Sequence, residues 1–155
     1  MLAMATVFQI NASDGGVPKL PVAEALIDIN GIVGDDQSDK EHHGGFDRAL
    51  CLFSLEVIEA LQAEGHPISA GTAGENLTIT GLDWDLVSPP VRLRIGSTVA
   101  QVTSYTSPCS KISGSFSDGR SARIGQAAHP GWSRVYAKVI IGGTIRRGDE
   151  VELLD

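Results

Sequence analysis

Short runs of apolar and β-branched residues, none longer than a strand, alternate along this chain with polar turns. "ATVFQI", "EALIDI", "RALCLF", "NLTIT", "VRLRI", "TVAQVTSY", "SRVYAKVII" and "DEVELL" have the length and composition of strands. Glycines separate them at Gly15-Gly16, Gly34-Asp35, Gly44-Gly45, Gly96-Ser97, Gly142-Gly143 and Gly148-Asp149. Eighteen glycines in 155 residues exceed the average usage of about 7% and suit tight turns and bulges. Many short strands with close turns predict a mainly β protein, a closed or nearly closed β-barrel, because closure removes exposed edges. One stretch switches to a helical period. "SLEVIEALQAEGH" offers Ser54 as N-cap and Glu56 in the first turn, repeats Leu55, Ile58 and Leu61 along one face, and stops at Gly65. A helix over about 54–64 is expected to cover a barrel opening or a sheet face. A second short helix is expected within 121–128. With no repeat, linker or low-complexity segment, residues 1–155 read as one domain.

Composition narrows the class. Apolar residues at 42% and charged residues at 20% describe an ordinary globular protein. Twelve basic against nineteen acidic residues give a net charge of −7, which argues against nucleic acid or an anionic membrane as partner. A small anionic ligand remains compatible, since a few cations suffice for a local pocket. No apolar run approaches the roughly 18 residues of a membrane span, and "MLAMATVFQI" lacks the basic start of a secretory signal. A cytoplasmic protein is the expectation, and two cysteines there do not form a disulfide framework.

The two cysteines differ in setting. Cys51 lies in the apolar run "RALCLF" and reads as core. Cys109 lies in "TSYTSPCSKISG", among Ser107, Pro108, Ser110 and Lys111, where packing alone does not explain it. Three readings stay open on these local grounds. It is a nucleophile activated by Lys111 or by a histidine, with His43 or His129 as base in a Cys/His hydrolase; a thiolate metal ligand; or a structural cysteine. A Schiff base on Lys111 is conceivable, but no pattern around it favours pyridoxal phosphate. Phosphate loops of Walker or Rossmann type are absent.

Two further stretches concentrate polar chemistry. "GDDQSDKEHHGGFDRAL" gathers Asp35, Asp36, Asp39, His42 and His43, all competent metal ligands. Adjacent histidines in extended chain point to opposite faces, however, so the alternatives are a solvated acidic loop or a single histidine, His43, facing a cavity. In "SAGTAGENLTITGLD", either Thr72 and Asn76 bond local backbone, or one of Glu75 and Asn76 is presented at the mouth of a pocket.

Taken in order, "GDDQSDKEHHGGFDRAL", "AGENLTITGL", "RLRIGSTVAQVTSYTSPCSKI" and "GWSRVYAKVIIGGTIRRGDEVELL" resemble the MOSC family, named for the C-terminal domain of molybdenum cofactor sulfurases. The resemblance runs from about residue 20 to the C-terminus. It implies a barrel of the pyruvate-kinase-like β-barrel type and a pocket for the pterin-based molybdenum cofactor. The family cysteine, which coordinates molybdenum or carries persulfide sulfur, corresponds to Cys109. Asn76 and Ser107 are implied beside the cofactor, and His43 falls in the family's His-Gly-Gly signature. For the cofactor phosphate the basic choices are Arg48, Lys111 and Arg134, with Arg120 and Arg123 as lesser candidates. His43 or Glu75 is then a proton donor. The activity implied is reduction of N-hydroxylated small molecules; the alternative is a non-catalytic sulfur-carrier or cofactor-delivery module using a Cys109 persulfide. Larger family members add a second barrel, a helical extension or a ferredoxin-like domain, which this sequence is not expected to carry. A separate electron-donor protein or sulfur donor is therefore the expected partner.

Overall fold

The computed structural model describes residues 4–12, 20–34, 46–108 and 110–154. Its strands in chain order are β1 (Ala5–Ala12), β2 (Leu20–Val22), β3 (Glu24–Asp28), β4 (Gly31–Ile32), β5 (Leu50–Ser54), β6 (Leu77–Thr80), β7 (Arg92–Ile95), β8 (Thr98–Tyr105), β9 (Val135–Ile141), β10 (Gly143–Arg146) and β11 (Glu150–Leu153); the one α-helix among these residues is α1 (Leu55–Ala63). The main sheet runs β11-β7-β8-β9-β5-β6-β1, and β1 pairs back onto β11, so seven strands close a barrel. β2 hangs from β1, while β10, β3 and β4 form a small antiparallel sheet.

Within the barrel every pairing is antiparallel except β5 with β6. A parallel pair cannot be joined by a hairpin and needs a crossover, and α1 lies in that connection. The Ser54 side chain caps the helix by accepting the Val57 N–H at 3.2 Å, while Val57, Ile58 and Leu61 turn inward. The Glu56 carboxylate ties the helix to the far end of β6 through the Thr80 hydroxyl and the Gly81 N–H.

Alternation works where one face meets solvent: β7 reads exposed-buried-exposed-buried, and β3 alternates likewise. All of β5 is buried, with α1 against it. Val7, Ile10, Leu52, Leu77, Ile79, Leu93, Ile95, Val102 and Val135 belong to the continuous core. Gly31 makes a close approach possible, because at φ +103° a Cβ there would lie 2.0 Å from the Ala49 carbonyl oxygen.

All eight segments with strand composition are strands, and α1 falls within the expected range. Three strands were not foreseen. β2 has three residues, all exposed and one a proline; β4 has two; β10 follows directly on Gly142. β2 and β4 are too short to show a period and β10 shows none, so they depend on neighbours for their conformation. The helix expected within 121–128 is a single 3₁₀ turn, Ser121–Ile124. Among the described residues no helix is long and apolar enough to cross a membrane.

Candidate functional site

Registry brings the candidate segments together. Leu52 of β5 lies opposite Val135 of β9 and Leu77 of β6, and Val135 lies opposite Tyr105 of β8. The residues that enter or leave these strands, including Asn76, Thr106 and Arg134, therefore meet near one another. Asn76 clasps Cys51. Its backbone N–H donates to the Cys51 carbonyl at 2.7 Å, and its side-chain Oδ1 accepts the Cys51 N–H at 2.8 Å. That bond fixes which way the amide faces. Cys51, buried as its run of sequence implies, has Sγ 3.9 Å from the Thr106 hydroxyl.

Glu75 is fully buried. One carboxyl oxygen, Oε2, accepts the Gly71 N–H at 3.1 Å and the Thr78 hydroxyl at 2.9 Å, while Oε1 has no hydrogen-bond partner. Burial pushes this carboxyl above the ordinary carboxylate range; the bonds from Gly71 and Thr78 and the positive charge of Arg134 oppose that shift only in part. Asn11 of β1, also fully buried, donates from Nδ2 to the Glu75 carbonyl at 3.1 Å and to Thr78 Oγ1 at 3.2 Å. Gln9 continues the network, donating to Asn11 Oδ1 at 2.6 Å and to the Ala70 carbonyl at 3.2 Å. The segment 70–76 is thereby knitted to β1, and buried polar groups find partners as they must.

Arg134 joins this segment to the one preceding Cys109. Its Nη1 donates to the Ala73 carbonyl at 2.7 Å and its Nη2 to the Ser107 carbonyl at 3.3 Å. Arg134, the phosphate ligand suggested by sequence, has only 3% of its surface exposed and both terminal nitrogens occupied by carbonyls. Ser107 and Lys111 are exposed on either side of Cys109. Arg48 is half-buried, its guanidinium 5.4 Å from the centre of the Tyr136 ring. Cys109 and His43, with Asp35, Asp36, Asp39 and His42, lie outside the described residues.

Two lesser candidates sit elsewhere. Arg123 is paired bidentately with Glu64 beyond α1, at 3.2 and 2.6 Å, and lies 4.5 Å over the Trp132 ring. Its hydrogen bond is the first cause holding the Glu64 carboxyl below its ordinary value. His129 stacks on Trp132 with ring centres 3.9 Å apart. Arg120 is exposed. Among the described residues no three His, Cys, Asp or Glu side chains form a metal cage.

Sequence reasoning missed Gln9, Asn11, Thr78 and Thr106. An asparagine closing a strand in "FQINAS" is the one visible signal, since Asn is depleted from strands.

A closed barrel with a single crossover helix and a buried polar junction where β5, β6 and β9 meet sets the architecture. The model of the MOSC domain matches residues 39–152, and the chain belongs to that family. It is 30% identical over 141 residues to the uncharacterized protein YflK of Bacillus subtilis, a match covering 90% of this chain and 63% of YflK. Over 136 residues it is 31% identical to protein YiiM of Escherichia coli, covering 84% of this chain and 59% of YiiM. The chain thus spans about three-fifths of the length of these relatives. The crystal structure of YiiM from Geobacillus stearothermophilus superposes with a TM-score of 0.76 at 25% identity, covering 97% of this chain and 75% of that one.

Proposed function

We propose that the chain binds the pterin-based molybdenum cofactor, with the Cys109 thiolate as the protein's ligand to the metal, and that it reduces N-hydroxylated small molecules. The supporting observation is the junction made by Arg134, which bonds the segment carrying Glu75 and Asn76 to the one leading into Cys109. Two stretches that the family resemblance assigns to one ligand are thereby neighbours, although 73 and 107 are far apart in sequence.

The residues present suit such a group. Exposed Lys111 and half-buried Arg48 supply positive charge for a phosphate, and exposed Ser107 adds a hydroxyl. Asn76 is fully buried with its Oδ1 committed to the Cys51 N–H, so it shapes the segment beside the cofactor rather than contacting it. A soft thiolate such as that of Cys109 is the appropriate protein ligand for the metal. When bound, the cofactor supplies the two-electron redox chemistry; the chain orients it and keeps water from competing. In this reading His43 gives a proton to the departing oxygen. Glu75, fully buried with its carboxyl raised by that burial, holds the 70–76 segment in shape rather than meeting substrate. Electrons come from a separate donor protein, in the cytoplasm.

The test is expression in cofactor-replete and cofactor-deficient hosts, metal analysis, and assay against an N-hydroxylated compound with a chemical reductant as electron source. Molybdenum only in the replete preparation, with turnover, supports the reading. Equal absence of molybdenum from both overturns it, and persulfide sulfur on Cys109 without metal assigns the chain to sulfur carriage instead.

A further inference from the structure

Arg134 is bonded to the 106–107 segment twice over. Besides the guanidinium bond to the Ser107 carbonyl, the Arg134 carbonyl accepts the Thr106 N–H at 2.9 Å and the Ser133 hydroxyl at 2.7 Å. The other arm of the guanidinium holds the Ala73 carbonyl. Burying a cation this deeply is costly. Its Nε even lacks a hydrogen-bond partner, so the residue is not there for an optimal fit. An apolar side chain of similar length would fill the space but would strand two carbonyls. A lysine would carry the charge but, as a point donor, would not reproduce the planar fork that meets two acceptors at fixed spacing.

We propose that Arg134 is a positioning residue that clamps the Ala73 loop to Ser107. It thereby fixes the chain immediately before Cys109 relative to Glu75 and Asn76. The functional consequence rests on the reading of Cys109 as a cofactor-binding residue; the clamp itself does not, and it is tested on cofactor-free protein.

Two amides report on the two loops. The Gly74 N–H donates to the Gly71 carbonyl at 3.1 Å and the Thr106 N–H to the Arg134 carbonyl at 2.9 Å. In the wild type, native-state hydrogen exchange is expected to show these amides opening together, with the same opening free energy and denaturant dependence. In Arg134→Met and Arg134→Lys both are expected to exchange faster by about ten-fold or more, the scale of losing a hydrogen bond to a charged group. Amides in β7 and β11 should stay at their wild-type rates. Alkylation of Cys109 by iodoacetamide at fixed pH is expected to change several-fold in both variants, with lysine giving no rescue.

Independent opening of Gly74 and Thr106 in the wild type overturns the clamp even if neither variant folds. Wild-type exchange and alkylation in Arg134→Lys overturn it as well, since charge alone would then suffice. Exchange that rises uniformly over the barrel also contradicts it and makes Arg134 an ordinary stability residue. If the clamp holds while the wild type takes up no molybdenum, only the functional reading fails.

Discussion

Asn76 grips Cys51 from two sides, with its backbone N–H on the Cys51 carbonyl at 2.7 Å and its side-chain oxygen on the Cys51 N–H at 2.8 Å. The grip sits where β6 begins beside β5, so one residue both starts the parallel pairing and fixes an amide in the candidate site. Asn76→Ala removes the acceptor and leaves a buried N–H without it. A loss of about 1–3 kcal/mol in unfolding free energy is expected, measured by urea titration of the purified variant. An unchanged midpoint would show that the side-chain bond contributes nothing.

Glu75 makes stability depend on pH in a definite direction. Its carboxyl is raised in the folded protein by burial, whereas in the unfolded chain it titrates near 4.3. The folded state therefore holds the proton more tightly. The resulting stabilisation is complete below the unfolded value and is lost as pH rises towards and through the folded one. Glu75→Gln keeps the shape without the charge. Wild type should lose stability relative to this variant as pH is raised from about 4, and the difference should level off once the folded carboxyl has ionised. Urea unfolding of both proteins from acid to neutral pH tests this; a difference that is flat, or that moves the other way, contradicts it.

Gly31 opens β4 at a point where any Cβ would run into the Ala49 carbonyl, next to Arg48. Gly31→Ala forces an L-residue to φ +103° and sets its Cβ 2.0 Å from a backbone oxygen. The conformation alone costs about 1–3 kcal/mol, and the overlap must also displace backbone. A clear drop in thermal midpoint is expected. A midpoint equal to wild type would mean that the approach to Ala49 is looser than described.

The β-rich barrel was legible wherever a segment was long enough to show its period. "TVAQVTSY", rich in β-branched residues, is β8, with burial alternating from Thr98 to Val102, and the Ser54 cap announced α1. What stayed hidden depends on partners. β5 neighbours β6 and β9, and β6 neighbours β1, so nothing near Glu75 in sequence indicates that Asn11 will bond its carbonyl. Arg134 illustrates the same limit. An arginine at the start of a strand-like run reads as a cation available to a phosphate, because arginine is rarely buried. Its interior place follows from the Ala73 and Ser107 carbonyls, which only the closed barrel brings within its reach.

The central claim is that Cys109 holds a metal. Its most direct test is the molybdenum content of Cys109→Ser beside wild type, both purified from a cofactor-replete host, with Cys51→Ser as control. An alcohol is not deprotonated near neutral pH and cannot replace a soft thiolate. Cys51→Ser places its hydroxyl near Thr106 Oγ1, which is 3.9 Å from the present sulfur, so that variant should keep its metal. Wild-type protein carrying molybdenum and Cys109→Ser retaining little or none, at nearly the same thermal midpoint, is the expected result. Cys109→Ser with wild-type molybdenum content would contradict the assignment.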